Sequence, residues 1–175
     1  MGEDFIDTHD ALQELCDLLS GYQYELHYHD DDEYEYLDEA DVCITIPNPY
    51  SKNKIYIDLE EEFTLSYGIY HEHYYPNKND YKEMAKTLIG ILNNELCSAT
   101  MYSGEPLQWL GSTTITKSES SERPIKDVFS FIFKIKEFKT RLNTNGGEVH
   151  YNFWNPTDDR IIKLEKKHNS MKEET

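Results

Sequence analysis

Val42-Cys43-Ile44-Thr45-Ile46-Pro47, then Ile55-Tyr56-Ile57-Asp58-Leu59, then Phe63-Thr64-Leu65-Ser66-Tyr67: three short runs in quick succession alternate apolar with polar or smaller residues. An alternation of period two places Val42, Ile44 and Ile46 on one face of a strand, and likewise Ile55, Ile57 and Leu59. Phe63, Leu65, Tyr67 and Ile69 mark a third strand that continues toward His71. Pro47 and Pro49 end the first run, because proline cannot donate to a ladder. Connections this short permit only antiparallel neighbours, so the core of the fold is a meander.

Working outward, residues 8–19 change period. Leu12, Leu15, Cys16 and Leu19 recur at three and four, with Asp7 or Thr8 to cap the start and Gly21 to close the end. Tyr22, Tyr24, Leu26 and Tyr28 then alternate with Gln23, Glu25, His27 and His29, which predicts a strand over 22–29. Downstream, Tyr81, Met84, Ala85, Leu88, Ile89, Ile91, Leu92 and Leu96 form a wide apolar stripe, and Asp80 with Glu83 resembles a capping pair, so a helix is predicted over 80–96. Gly90 within it allows a close helix–sheet approach. Ala99 and Met101 lead to a turn at 103–106, and Leu107 to Ile115 predict the next strand, with Gly111 at a bulge. Lys117–Pro124 reads as a mobile polar loop. Phe129, Phe131, Phe133 and Ile135 alternate, Asn143–Gly147 is a turn, and Val149, Tyr151 and Phe153 close a long hairpin. The expected architecture is α+β: a mostly antiparallel sheet of six to eight strands with two main helices on one face. Residues 1–156 form a single domain, and the charged residues 157–175 are a short helix or disordered.

Charge is the second feature. No Lys or Arg precedes Lys52. Residues 1–80 carry 21 Asp and Glu against Lys52, Lys54 and Lys78, whereas residues 81–175 carry 13 acids and 14 bases; the whole chain is at −17. The densest part is Asp30-Asp31-Asp32-Glu33-Tyr34-Glu35-Tyr36-Leu37-Asp38-Glu39-Ala40-Asp41, with eight carboxylates in twelve residues. Such a field attracts basic surfaces and repels phosphate, which excludes nucleic acid as a partner. Lys134, Lys136, Lys139 and Arg141 are too few to reverse that, and are expected to pair with the acidic half. Tyr34 and Tyr36 among the carboxylates supply aromatic anchors inside a charged rim, the composition of a protein-docking surface. The candidate partner-binding residues are therefore Asp30, Asp31, Asp32, Glu33, Tyr34, Glu35, Tyr36, Asp38, Glu39 and Asp41, and the partner is a basic protein.

Catalytic signatures are sparse. The acidic run lacks the spacing of a calcium loop, and there is no nucleophile elbow, dinucleotide fingerprint or phosphate loop. Cys16, Cys43 and Cys97 have no paired spacing and read as small buried side chains, not a disulfide or zinc framework. One metal reading remains: His27 with His29, and His71 with His73, are each two apart, so four imidazoles converge if their strands are neighbours. With no apolar stretch long enough for a bilayer and an acidic start, the chain is expected to be cytoplasmic, without a membrane partner or cofactor. Oligomeric state is open.

The segment Glu61-Glu-Glu-Phe-Thr-Leu-Ser-Tyr-Gly-Ile-Tyr-His-Glu-His-Tyr-Tyr75, followed by a capped helix, resembles bacterial immunity proteins of polymorphic and contact-dependent toxin systems. The likeness spans residues 42–116. It implies a non-enzymatic cytoplasmic inhibitor that covers the active surface of a basic nuclease-type toxin. Two other readings stand beside it: a DNA-mimic inhibitor of a DNA-binding protein, with phosphate-like carboxylates on one face, and a metal-dependent enzyme built on His27, His29, His71 and His73.

Overall fold

The alternating runs pair in register. In the structure, a computed structural model that describes residues 4–166, β2 (Val42–Pro47), β3 (Lys54–Leu59) and β4 (Phe63–Tyr67) bring Ile44, Ile57 and Leu65 side by side, and Ile46, Ile55 and Tyr67 in the next row. β1 (Glu25–His27) joins β2 and β5 (Tyr70–Tyr74) joins β4, completing an antiparallel sheet in the order β1-β2-β3-β4-β5. The first strand is shorter than the Tyr22–His29 alternation predicts. Two helices, α1 (Thr8–Leu18) and α2 (Lys78–Leu92), cover the apolar face. Ala11, Leu15, Met84, Leu88 and Ile91 are fully buried there with the strand residues. Each large side chain so buried contributes about 1.5–3 kcal/mol.

The helix ends follow from capping. Asp7 accepts from the Asp10 N–H at 2.8 Å and starts α1. Asn77, not the expected Asp80–Glu83 pair, starts α2, accepting from the Asn79 and Asp80 N–H groups. The Asp80 carboxylate instead accepts from the Tyr75 N–H. α2 stops at Leu92, with Asn94 in the left-handed region at φ 61°. Gly90 does permit close approach: a Cβ there would lie 2.6 Å from Leu96 Cδ1.

A second sheet holds the rest. β6 (Leu96–Ser103), β7 (Gln108–Thr116), β8 (Gly147–Phe153) and β9 (Arg160–Leu164) pair antiparallel in the order β7-β6-β8-β9. The α+β class and the antiparallel pairing are as expected, but the nine described strands are divided between two sheets, each with its own buried cluster. The second cluster joins Cys97, Ala99, Met101, Val149, Tyr151 and Phe153 to a run of short helices: α3 (Glu119–Glu122), α4 (Ile125–Val128), α5 (Ser130–Lys134) and α6 (Lys136–Asn145).

Four sequence expectations are corrected here. The predicted strand at 129–135 is helical. Phe129 and Ile132, three apart, are fully buried, whereas Phe131 and Ile135 are 42% and 44% exposed. The intervening Ile132 defeats the period of two, and Gly111 makes room for the helix: a Cβ there would sit 2.9 Å from Phe131 and 3.1 Å from Ile132. Residues 143–147 consequently end α6 at Gly146, with φ 70°, in place of a hairpin turn. The 117–124 loop contains α3, held by Glu119 accepting from Thr116 and Arg123. In the C-terminal segment a single 3-10 turn, Pro156–Asp158, leads into the edge strand β9 at Arg160–Leu164; residues 167–175 lie outside the described residues.

The two cores meet at a polar seam. Tyr67 OH donates to the Phe153 carbonyl at 2.6 Å, Asn48 Nδ2 to the Trp154 carbonyl at 2.7 Å, and the Trp154 ring packs 5.9 Å from Tyr67 within the first cluster.

Candidate functional site

The acidic run lies on the face of the first sheet that the helices leave free. Alternation dictates that face: Cys43 and Thr45 of β2, Tyr56 and Asp58 of β3, Thr64 and Ser66 of β4, opposite the apolar set. Residues 28–41 cross it as a succession of tight turns, with Asp31 N–H bonded to the Tyr28 carbonyl, Tyr34 to Asp31, Leu37 to Tyr34 and Asp41 to Asp38. Asp31 and Asp41 carboxylates accept the N–H groups of Tyr28 and Asp38, as aspartates in turns do. Leu37 is buried beneath. The His29 Nδ1–H donates to its carbonyl at 2.7 Å.

Two tyrosines pin the run to the sheet. Tyr34 stacks flat on His27, with ring centroids 4.0 Å apart and planes within 7°, and its hydroxyl is 3.3 Å from Thr45 Oγ1. Tyr36 donates to Asp58 Oδ1 at 3.0 Å while its ring stays 59% exposed. Asp30, Asp31, Asp32, Glu33, Glu35, Asp38 and Glu39 point to solvent and Asp41 is half-buried.

The structure adds members that the motif reading missed. Asp58 and Glu60 join Asp38 and Asp41 at one corner. The Glu60 carboxyl is held above its ordinary range, first by partial burial and then by the charges of Asp58, Asp41 and Asp38, with His73 opposing. Burial and the adjacent Asp58 likewise push the Tyr36 phenol up, and burial with Asp58 pushes the Cys43 thiol up to about 12. Tyr56, 38% exposed, lies on the same face. The signal was available: the alternation that buries Ile57 and Leu59 turns Tyr56 and Asp58 outward.

Among the described residues no Lys or Arg ion pair relieves the repulsion at this corner. Among the described residues the Lys and Arg ion pairs are Lys117–Asp158 and Arg123–Glu119, both beyond residue 92. Among the described residues the expected pairing of Lys134, Lys136, Lys139 and Arg141 with the acidic half is not found. The other ion pairs are histidine contacts: His27 to Glu25 at 3.8 Å and Asp31 at 3.9 Å, and His150 to Glu148. Acidic residues also occupy the far side of the sheet, where α1 carries Asp10, Glu14 and Asp17. The carboxylates therefore flank both sides of the first unit.

The four histidines do not converge. β1 and β5 are opposite edges of the sheet with three strands between them, which removes the condition on which a His27, His29, His71 and His73 site rests. His71 and His73 share the outer face of β5, with ring centroids 5.7 Å apart, and His73 Nδ1 lies 2.9 Å from Thr64 Oγ1. Among the described residues no group of three or more His, Cys, Asp or Glu is arranged to hold a metal ion. Cys43 and Cys97 are buried and Cys16 half-buried, all with free thiols. No described helix is long and apolar enough to cross a membrane.

Comparison with protein-family models, curated proteins and solved structures finds no match to this chain.

Proposed function

We propose that this protein is a non-enzymatic acidic binding protein, an immunity protein that neutralises a basic nuclease-type toxin by covering its substrate-binding surface. The observation that carries this reading is the unneutralised acidic corner: Asp38, Asp41, Asp58 and Glu60 crowd together with no described Lys or Arg ion pair, beside the exposed rings of Tyr36 and Tyr56. Like charges brought together raise the energy of the free protein, and a cationic partner relieves it. Nucleases carry basic clefts for phosphate, so the complement is the expected one. Because the acidic run is anchored at Tyr34, Tyr36 and Leu37, little ordering entropy is lost on docking. A DNA mimic needs its carboxylates in one phosphate-like row; acids on both sides of the sheet favour a shaped protein contact.

The test is binding of the purified chain to the basic nuclease encoded beside it, by calorimetry at low and high salt. Tight association that weakens at least tenfold between about 50 mM and 500 mM salt is expected. Absence of binding to that nuclease at low salt overturns the proposal.

A further inference from the structure

A cavity of about 580 Å³ opens at the seam between the two cores. Its walls come from four distant places in the chain: Tyr22 and Gln23 ahead of β1, Tyr50 after β2, Asn94 past the end of α2, and Trp154 with Asn155 past β8. Hydrogen bonds hold them in place. Asn155 N–H donates to Asn94 Oδ1 at 2.9 Å, Tyr50 N–H to Asn48 Oδ1 at 2.8 Å, and Tyr22 OH to Asn93 Oδ1 at 3.3 Å. Asn48 in turn grips the Trp154 carbonyl. The cavity is therefore preformed, and its volume falls within the range of small-molecule sites, which favour junctions between structural units.

Its chemistry is unlike the rest of the surface. In a chain with 29% charged residues, none of the described residues lining this cavity is charged. An ion entering it would shed water without meeting a counter-charge, and an anion would also cross the field of a protein at −17. An anion is therefore disfavoured, and the amide-bearing walls suit a neutral guest. Aromatic rings supply flat apolar area, the Gln23 side chain supplies an amide donor and acceptor, and Asn155, whose Oδ1 already accepts from the Thr157 N–H and hydroxyl, supplies its Nδ2 donor. Tyr50 stands 66% exposed at the rim, a ring held out to solvent on a hydrogen-bonded turn. A molecule with a C–H face for the ring and hydroxyls for the amides satisfies both.

We propose that this cavity binds an uncharged sugar, its ring face on Tyr50 and its hydroxyls on Gln23 and Asn155. The site is separate from the acidic corner and independent of the toxin reading.

Saturation-transfer NMR on the full chain tests it, with glucose, galactose and N-acetylglucosamine as neutral probes and glucuronate and adenosine monophosphate as charged controls. Transfer to the ring protons of at least one neutral sugar is expected, with none to the controls. Tyr50→Ala should weaken that binding by about two- to tenfold, the value of one aromatic contact, and Tyr50→Phe should retain it. Both variants should melt like the parent, since the ring is exposed. No transfer from any neutral sugar at millimolar concentration overturns the proposal, as does equal binding of the charged controls or undiminished binding by Tyr50→Ala. Asp38→Asn with Glu60→Gln should leave the sugar signal intact, so failure here and failure of toxin binding are distinguishable.

Discussion

The two units of this protein use similar materials to opposite electrostatic ends. Residues 1–92, which supply the first sheet and its two helices, carry 22 acids against five lysines; residues 93–175, which include the second sheet, carry 12 of each sign. Both bury an apolar cluster against an antiparallel sheet. In the second unit, cations pair locally, as Lys117 does with Asp158 at 2.5 Å and Arg123 with Glu119 at 3.1 Å. In the first unit, described carboxylates meet no Lys or Arg ion pair and crowd one another at Glu60. Two cations of the second unit pair within it, whereas the carboxylates of the first unit, several of which hold turns and a helix start, meet no Lys or Arg ion pair among the described residues.

The largest effects are expected in the two cores, which should be similarly costly to damage. Phe129→Ala should destabilise by about 3–5 kcal/mol and Leu88→Ala by about 2–5 kcal/mol in urea unfolding, because both side chains are fully buried. The neighbouring Phe131→Ala should cost less than about 1 kcal/mol. If Phe131→Ala matched Phe129→Ala, residues 129–135 would be a strand after all. Next in size, Gly111→Ala forces a Cβ to within 2.9 Å of Phe131 and should cost about 1–3 kcal/mol by overpacking.

Smaller, but of opposite sign in the two units, is the response to acid. The folded Glu60 carboxyl titrates above its ordinary value of 4.5, so the stability it contributes is present below that value and is lost as pH rises through its folded pKa. Asp158 is the reverse: hydrogen bonds from Lys117 and Asn94 hold its carboxyl below 3.8, so its contribution is present above that value and fades as pH falls through the folded one. Denaturant midpoints of Glu60→Gln and Asp158→Asn, measured between pH 3 and pH 7 beside the parent, should diverge from it in opposite senses. Parallel profiles would remove the electrostatic contrast between the units.

Much of the first unit was legible in the chain, and the reasons are local. β2, β3 and β4 alternate cleanly, with Ile or Leu inward, so register and face follow from period alone. Phe129–Ile135 alternates too, but Ile132 is also apolar, and only the space above Gly111 decides which period is used. β9 was hidden because Arg160-Ile161-Ile162-Lys163-Leu164 places two isoleucines side by side at an edge, where one face stays wet. At the site, composition identified the acidic run but not its order. That order depends on Tyr34 reaching Thr45 and Tyr36 reaching Asp58, contacts 11 and 22 residues apart that no pattern within the run encodes. The intramolecular pairing of acids with the lysines of α5 and α6 failed for the same reason: charge counts carry no geometry.

The proposed meeting of the acidic corner with a cationic protein makes a direct demand on affinity. The measurement is the affinity of Asp38→Asn/Asp41→Asn/Glu60→Gln for the proposed partner, a basic nuclease, with Lys134→Gln/Lys136→Gln/Lys139→Gln as the comparison. The acidic triple variant should remain folded and lose at least about tenfold in affinity at low salt, with a shallower salt dependence, while the lysine variant binds as the parent does. Equal affinity for the parent and the acidic triple variant would contradict it.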